Sequence, residues 1–546
     1  MKKLTDRLPK NESVEDILKD YTHAKGDKAN FESTYESIRK LFAPYQESIT
    51  GDETDGGELD FSDIWTDSPI EAVRVFVSGL QTYLVPINTK WIQLRMTDKA
   101  LENSGAVKQF LEDVEERVMF TLANSNFYAA IAELFTQSVL YGTATMMIDY
   151  DPEDKVRFKT VPIKNVCIKD DSRGKVGKTF IAEYFTLEQA AEKWGEENLS
   201  PEMRTEYMNA DNMQRTYEFV YCIKERKVRD ASKNDVLNMP IYVAWIDVTN
   251  KYKIEEGGFL ENPTASHRFY KRSTSANGYS PCYMCLPSGR TLNKVAQTNL
   301  RGGAKLVDPA LAMPSKGFLT KLNANPNAIN FYQKDISKDS IFEIPGGRGV
   351  PFGVEYEDRL DARLRRFLFN DVFKALGGVT KQMTVPEVNQ LIQEALTQIG
   401  PAIGRYQSEI LDTIITRTVA ILGRYQFLPE APEELIGSVG YEIEYTSYLA
   451  KLQKAGGVKT IYEGLGVLQQ LAAFDPAVID NLNADEAWNL TTEELQLPAG
   501  ISRDIVQVAQ VRQARAEAEQ ARTEIDTQQQ QAGTAKDLAQ AGAAIQ

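Results

Sequence analysis

Hydrophobic residues recur with two different periods along the chain, and the change of period marks its organisation. Near the N-terminus Phe31, Tyr35, Ile38 and Leu41 follow the spacing of one helix face, and Pro44 should end or kink that helix. Apolar residues with the same period predict helices over three further stretches, 69–86, 104–141 and 284–306.

Between residue 143 and about residue 280 the pattern changes to short runs rich in Val, Ile, Tyr, Phe and Thr. Gly, Asn and Asp bound these runs, as is typical of strands, and one short helix with its loop interrupts them. The predicted strands are 91–96, 143–151, 156–161, 165–170, 178–185, 217–224 and 240–248. The fold class that follows is α+β, mainly helical.

The C-terminal half returns to helices around an irregular segment. Residues 315–355 are dense in Pro, Gly and Asn and predict loop and strand, while residues 358–376 form an amphipathic helix that Gly377 and Gly378 end. A capping box, Thr384 to Glu387, opens a long helix that runs to Gln426.

Two features qualify this C-terminal half. Gly400 and Pro401 should kink the long helix, because proline removes a backbone hydrogen bond and clashes with the preceding turn. Pro429 and Pro432 should end it, and a strand over 441–448 should follow. From residue 501 the chain is rich in Ala and Gln with almost no apolar stripe, so we expect a helix to about residue 526 and a disordered end.

Composition excludes several classes of function. The net charge of −15 argues against a protein that coats DNA through a broadly basic surface. Only two histidines are present, so histidine-based catalysis and zinc chemistry have few candidate residues, and four cysteines are too few for a disulfide scaffold. We predict no catalytic residue, no metal ligand and no cofactor.

Targeting signals are absent from the pattern. The two lysines at the start precede no apolar segment, so the sequence predicts no secretory signal. The least polar long stretch, 127–150, contains Glu133 and Gly142 and is predicted to be a buried helix followed by a strand, not a membrane span.

Three short motifs suggest chemistry and are better explained by structure. Residues 172–179 resemble a phosphate loop, but the required first glycine is Ser172 and a strand follows instead of a helix, which favours a β-hairpin turn. Cys282 and Cys285 resemble half of a metal or redox site but lack further ligands nearby, which favours buried thiols. The glycine-rich residues 346–349 favour a turn.

The helix over 358–376 has a basic face, and its role stays open at this point. One alternative is a solvated face with ion pairs four residues apart, such as Asp361 with Arg365. The other is a cationic strip that faces phosphate. The tail beyond residue 500 has a similar pair of alternatives, a disordered tail or helices bundled by oligomerisation.

The order of these segments resembles a known family, the portal proteins or head-to-tail connectors of short-tailed bacteriophages. The resemblance covers residues 30–430 and depends on four stretches, of which the third is the most telling. They are SPIEAVRVFVSGLQTYLVPINTKWIQLRM, NSNFYAAIAELFTQSVLYGTATMMIDYD, GYSPCYMCLPSGRTLNKVAQTNLRGGAKLVDPALAMP, and RRFLFNDVF with MTVPEV and the long helix after it. No single motif is specific, and the match rests on their order and spacing.

The resemblance implies a ring, usually of twelve subunits, at one vertex of the capsid, with a central channel through which DNA enters and leaves. It also implies the segments of a portal-type subunit. These are a wing (1–281), a first stem helix (282–307), a clip (308–355), a second stem helix (356–376), a channel loop (377–384), a kinked long helix with the rest of the wing (385–500), and a crown helix with a tail (501–546).

Site residues follow from the same resemblance. We expect the channel loop and the second stem helix to meet DNA non-specifically through Lys381, Gln382, Thr380, Arg359, Arg363, Arg365 and Arg366. We expect the clip to dock partners through Lys316, Lys321, Asn325, Phe331, Lys334 and Arg348.

The implied partners are further copies of the chain, double-stranded DNA, the large subunit of the terminase, tail or adaptor proteins, and the major capsid and scaffolding proteins. The implied location is the virion, and the host cytoplasm during assembly, with no membrane. Twelve copies would carry a charge of about −180 around the DNA, which suits passage better than grip. The alternatives are another structural virion protein, in the tail or an internal scaffold, and a packaging enzyme.

Overall fold

The computed structural model combines helices with antiparallel sheets, as the two hydrophobic periods predict. The chain folds as two compact units, one made of residues 1–89 and 118–425 and the other of residues 90–117 and 426–546. The residues that the structure describes are 13–51, 61, 63–98, 104–208, 212–230, 232–233, 235–307, 311–312, 342–343, 350–376, 399–435, 440–446, 464, 466–471, 482–483, 488, 508–518 and 520.

The helices are numbered here in chain order. They are α1 (Val14–Phe42), α2 (Ser68–Leu84), α3 (Gly105–Asn124), α4 (Phe127–Tyr141), α5 (Leu187–Trp194), α6 (Pro201–Tyr207), α7 (Pro281–Val307), α8 (Val350–Phe367), α9 (Asn370–Leu376) and α10 (Asp412–Arg424). Residues 399–405 are also helical, and a π-helical segment, Tyr406–Leu411, joins them to α10.

The strands are short and pair antiparallel throughout. They are β1 (Ile92–Met96), β2 (Thr143–Asp151), β3 (Lys155–Val161), β4 (Val166–Asp170), β5 (Val176–Thr186), β6 (Thr216–Glu225), β7 (Ile241–Asp247), β8 (Tyr252–Phe259), β9 (Thr264–Arg268), β10 (Tyr270–Arg272), β11 (Ser275–Tyr279), β12 (Leu311–Ala312), β13 (Phe342–Glu343) and β14 (Tyr441–Tyr445). The predicted strands at 91–96 and from 143 to 248 are confirmed.

The largest sheet of the first unit is a five-stranded meander in the order β4-β5-β6-β7-β8. Successive residues of its strands point to opposite faces, and both faces are covered. One face packs Phe180, Val220 and Cys222 against helix α1, and the other buries residues such as Ile181 and Tyr221. Burial on both faces explains why these strands read as nearly continuous apolar runs.

A three-stranded sheet, in the order β3-β2-β9, follows helix α4. Gly142 ends α4 in the left-handed region at φ 80°, as the sequence predicts. A Cβ at Gly142 would lie 2.4 Å from the backbone of Tyr279, so glycine is needed there for space as well as for conformation. The turn therefore brings strand β2 directly beside strand β11.

The second unit contains a two-stranded sheet in which β1 pairs with β14, with Ile92 opposite Tyr445 and Met96 opposite Tyr441. Trp91 is fully buried and stacks on Tyr445 with the rings 6° from parallel. The buried carboxylate of Glu115, on α3, accepts from the backbone N–H of Leu94. This pairing joins strands about 350 residues apart in the chain, which the local pattern of either strand cannot predict.

Two stretches that were each predicted to be one continuous helix are interrupted in the structure. The stretch 104–141 forms two helices, because Asn126 turns its side chain to the backbone of Phe158 and holds strand β3 with two hydrogen bonds, of 2.7 and 2.9 Å. The stretch 358–376 is broken at Phe369, which adopts φ 54°, and its first helix begins earlier, at Val350. The turn at Phe369 places its ring 5.7 Å from Phe76 of α2.

The long helix after residue 398 continues through Pro401, whose ring is exposed. The irregularity that the structure describes lies further on, in the π-helical segment Tyr406–Leu411. The predicted kink at Gly400 and Pro401 stays a prediction, because residues 377–398 are outside the described part of the chain.

Candidate functional site

Helices α7 and α8 form an antiparallel hairpin. A Cβ at Gly289 would lie 3.5 Å from Leu364, and Asn299 Nδ2 donates to Glu357 Oε2 over 2.7 Å. Gly353 leaves the space that Asn299 occupies, since a Cβ there would lie 1.9 Å from Asn299 Oδ1. The two helices are therefore closely packed at two levels, and the residues that remain exposed are those that face away from this seam.

Residues 63–65, which precede α2, are hydrogen-bonded to α7 through one amide side chain. Asn293 Oδ1 accepts from the backbone N–H of Trp65 over 2.7 Å, and Asn293 Nδ2 donates to the carbonyl of Asp63 over 2.7 Å. Both hydrogen-bonding groups of the amide are thereby used, so the segment is held in one orientation against α7.

Arg365 is a half-buried α8 arginine that pairs with two carboxylates of the same subunit. Its guanidinium donates to Asp361 over 2.8 Å and to Glu71 of α2 over 2.7 Å, and Asp361 in turn accepts from the hydroxyl of Ser68. These contacts raise the pKa of Arg365 and lower the pKa of the Glu71 carboxyl. The predicted pair of Asp361 with Arg365 is confirmed, and Arg365 fastens α8 to α2.

The other α8 arginines remain in solvent. Arg359 donates to Glu355 over 2.6 Å but stays 73% exposed, and Arg363 lies 5.8 Å from the ring centre of Phe367. Arg366 is exposed. The helix also contains four acidic residues, Glu355, Glu357, Asp358 and Asp361. The basic face of α8 is therefore balanced by acids on the same helix.

Helix α7 differs in composition, and the sequence reasoning missed it. It contains Arg290, Lys294, Arg301 and Lys305 and no acidic residue. All four basic side chains are exposed. The signal that could have found them is their spacing of 4, 7 and 4 residues, which keeps them on one side of a helix.

The two cysteines at the start of α7 pack inside the protein. Cys282 and Cys285 are free thiols and completely buried, and burial together with the neighbouring thiol raises the pKa of Cys282. A protonated, buried thiol is a poor nucleophile and a poor metal ligand. Among the described residues no cluster of acidic, histidine or cysteine side chains could hold a metal ion.

A buried ionic cluster holds the π-helical segment against the sheets. Arg268 of β9 has a side chain only 2% exposed, and its guanidinium meets Asp170 of β4 over 2.8 Å and Glu409 of the π segment over 2.6 Å. Glu409 also accepts from the backbone N–H of Arg268 over 2.9 Å, and Lys271 pairs with Asp170 over 2.9 Å. One arginine thus connects the long helix with two sheets.

His267 lies beside this cluster as a buried neutral ring. It stacks on Tyr406 with the ring centres 3.8 Å apart, and neither ring nitrogen has a hydrogen-bond partner among the described residues. Burial, with smaller effects from Arg405 and Arg268, lowers its pKa well below the usual range. The ring therefore acts as a packing surface for the π segment at neutral pH.

Comparison with known proteins decides the family. The family model described as "Bacteriophage head to tail connecting protein" matches residues 14–502, which is most of the chain. The chain belongs to this family of head-to-tail connectors. As a connector it is a structural component of a phage particle that joins the head to the tail.

Two curated relatives agree with this assignment. The connector is 24% identical over 543 residues to the "Portal protein" of Salmonella phage epsilon15, which covers 96% of this chain and 95% of the relative. It is 23% identical over 538 residues to the "Probable portal protein" of Bordetella phage BPP-1, with 96% and 94% covered. The resemblance inferred from the order of segments is confirmed.

The suspected chemical motifs of the connector are resolved by its fold. Residues 171–175 form the turn between β4 and β5, and residues 176–179 already belong to β5. In the turn, Asp171 Oδ1 accepts from the backbone N–H groups of Arg173 and Lys175, each over 2.8 Å. The predicted β-hairpin turn is therefore confirmed. No helix in the described part of the chain has the length and apolar character that a membrane crossing requires.

Most of the predicted contact residues of the connector lie outside the described residues. These are Thr380, Lys381 and Gln382 of the predicted channel loop and Lys316, Lys321, Asn325, Phe331, Lys334 and Arg348 of the predicted clip. The capping box from Thr384 to Glu387 and the turn at 346–349 lie outside them as well. The roles of these residues stay predictions.

Proposed function

We propose that the connector assembles into a ring of about twelve copies at one capsid vertex and that double-stranded DNA passes through its centre during packaging and ejection. The family match and the curated relatives support this proposal. The negative charge of the chain fits a passage in which phosphate is not bound tightly.

The observation that best supports a ring is the exposed apolar surface at the far end of the α7–α8 hairpin. Leu300, Leu306, Val307 and Val354 are 57%, 54%, 88% and 47% exposed. Apolar side chains grouped in this way mark an interaction surface, and in a ring each copy offers one face to a different face of the next. Neighbouring hairpins would cover them.

The segments are assigned by the family resemblance. The hairpin of 282–307 and 356–376 would be the stem, residues 308–355 between them the clip, and residues 377–384 a channel loop that reaches DNA through Thr380, Lys381 and Gln382. The helix of 385–427 would carry that loop. The structure supports the stem assignment through the close packing of α7 on α8.

The partners follow from this arrangement. The clip would receive the large subunit of the terminase during packaging and tail or adaptor proteins afterwards. The wing and crown would contact the major capsid and scaffolding proteins while the ring assembles in the host cytoplasm. The connector would perform no chemical step, so the purified chain with DNA should not hydrolyse ATP, and measurable turnover would contradict this part of the proposal.

The ring itself is tested by negative-stain electron microscopy and by the mass of the assembly. We expect a ring with a central hole and a mass of about twelve times the 61.3 kDa of one chain. Leu306→Glu with Val307→Glu should shift the protein toward monomers, because buried carboxylates would repel at each interface. Met208→Glu, at an equally exposed apolar residue outside the hairpin, is the control.

The channel loop is tested by removing Gly377–Thr384. Rings should still form, while DNA retention or packaging should fail. If such rings do not assemble, the loop is structural and its proposed role in the channel is wrong.

A further inference from the structure

The four basic residues of helix α7 form one continuous stripe. At 3.6 residues per turn, Arg290, Lys294, Arg301 and Lys305 fall within a sector of about 60°, and they extend over about 22 Å of helix. No acidic residue occurs anywhere in α7 to interrupt them. We call these four residues the α7 stripe.

The α7 stripe faces away from the core of its own subunit. The buried positions of the helix, which include Cys285, Gly289, Leu292 and Ala296, lie on nearly the opposite side, about 160° from the centre of the stripe. The four stripe residues are all exposed. The stripe is therefore available to a partner and contributes nothing to the packing of α7 on α8.

The charges of the stripe are unpaired within the part of the chain that the structure describes. The described residues provide no ion pair to any of the four, and the polar contact of a stripe side chain that the structure shows is from Lys294 to the neutral Gln297. Arg365 of α8, by contrast, is paired with two carboxylates. Four unpaired cations in a row on an acidic protein fit an anionic partner with regularly spaced charges.

The DNA backbone has this chemistry. Duplex DNA presents about one negative charge per 1.7 Å of axis when both strands are counted, so a length of duplex equal to the stripe carries about 13 charges. An exposed row of Arg and Lys supplies the weak, sequence-independent contacts that such a backbone takes. A neighbouring subunit would need an acidic row of its own to replace DNA, and α8 offers acids mixed with arginines.

We propose that Arg290, Lys294, Arg301 and Lys305 are the residues of the stem that contact the DNA phosphates, and that α7 faces the channel. This inference rests on the proposed function, because it requires DNA within a ring. The sequence resemblance leads us to expect that the arginines of α8 are the stem residues that contact DNA. The present inference assigns this contact to four residues of α7 instead.

The test compares three variants of the full chain. The stripe variant is R290Q/K294Q/R301Q/K305Q, and the α8 variant is R359Q/R363Q/R366Q. The control K19Q/R173Q/K175Q/K251Q removes the same charge as the stripe variant from exposed sites on other elements. Assembly is followed by negative-stain microscopy, and binding of a fluorescent duplex of about 30 base pairs is measured over a series of salt concentrations.

We expect rings from all variants. The stripe variant should bind at least about tenfold more weakly at low salt, with a shallower dependence of log K on log salt, while the control and the α8 variant should stay close to the parent. Thermal unfolding followed by circular dichroism checks folding, and if the stripe variant unfolds early, the pair R290Q/R301Q replaces it.

Three results would overturn the inference. Equal binding by parent and stripe variant, or no binding by parent rings, means that the stripe does not contact DNA. Loss of rings in the stripe variant alone means that the stripe contacts the neighbouring subunit. Failure of the parent chain to form a ring contradicts the proposed function itself, and this result is seen before any DNA is added.

Discussion

The connector contains two groups of positively charged side chains that differ in burial and in pairing. Around Arg268 each cation is buried or half-buried and paired with a carboxylate of the same subunit, whereas the α7 stripe is exposed and unpaired among the described residues. Unpaired charge is expensive in the interior and inexpensive in water. Charges matched within the subunit therefore serve the fold, and charges left unmatched on one helix face are available to a partner.

The largest expected effect is at the matched group. Arg268→Met should lower the free energy of unfolding by about 3–5 kcal/mol, because Glu409 and Asp170 lose their buried partner. Urea unfolding measures the change, and Arg272→Met, at an exposed arginine of β10, is the control. A similar decrease in the free energy of unfolding in both variants would show that the burial and pairing of Arg268 do not stabilise the fold more than an exposed arginine does.

A smaller loss is expected within α8. Arg365→Met removes two charged hydrogen bonds and should cost about 1–2 kcal/mol, while Arg363→Met, on the solvent side of the same helix, should change stability by less than about 0.5 kcal/mol. Thermal unfolding of the two variants gives the comparison. If Arg363→Met is the more damaging change, the assignment of Arg365 to the fold is wrong.

The pH dependence of stability provides a third test, through the buried His267 ring beside the matched group. Because the folded pKa of His267 is lowered, the unfolded chain binds the proton more readily, so stability should decrease as the pH falls below the unfolded histidine pKa of about 6.5. His267→Gln lacks this contribution, and its stability should decrease less than that of the parent between neutral pH and about pH 5. Parallel pH profiles would show that His267 accepts a proton in the folded state.

The smallest effect on stability is expected at the unmatched group. Arg290→Gln with Arg301→Gln should change the free energy of unfolding by less than about 0.5 kcal/mol, since both side chains are exposed and neither forms an ion pair with another described residue. Calorimetry of the parent and the double variant measures this. A decrease in the free energy of unfolding of more than about 1 kcal/mol, roughly the net contribution of one hydrogen bond, would show that the stripe stabilises the fold. The stripe would then not differ in role from the group around Arg268.

The sequence predicts most helices and strands of the first unit because their apolar spacing is local. It misses the break at Phe369 because an aromatic residue with φ 54° depends on the contact of its ring with Phe76, which no local pattern contains. It likewise cannot predict the pairing of β1 with β14, whose partners meet only in the folded chain.

The helices of the candidate site could be predicted from the sequence, whereas the pairing of their charges with other helices could not. The predicted helices 284–306 and 358–376 correspond to α7 and to α8 with α9, and the basic face of α8 is visible in the sequence. The four acidic residues of α8 and the spacing of the four basic residues on α7 are also visible in the sequence. Whether a charge is matched depends on its neighbours in space, and Glu71, which neutralises Arg365, lies on another helix.

The π-helical segment Tyr406–Leu411 has a consequence for how the long helix can vary. The buried residues before and after this segment form two apolar faces of the long helix. One face consists of residues 399, 402, 403 and 406, and the other of residues 410, 411, 414 and 415. The second face is rotated about the helix axis by about 100° from the first, which is the angle between successive residues of an α-helix. The π-helical segment is thus equivalent to one residue inserted between two helical stretches, each of which packs against the core through its own apolar face. Related connectors whose length differs within this π-helical segment should differ by a single residue. An insertion or deletion within α10 would turn part of its apolar face toward solvent.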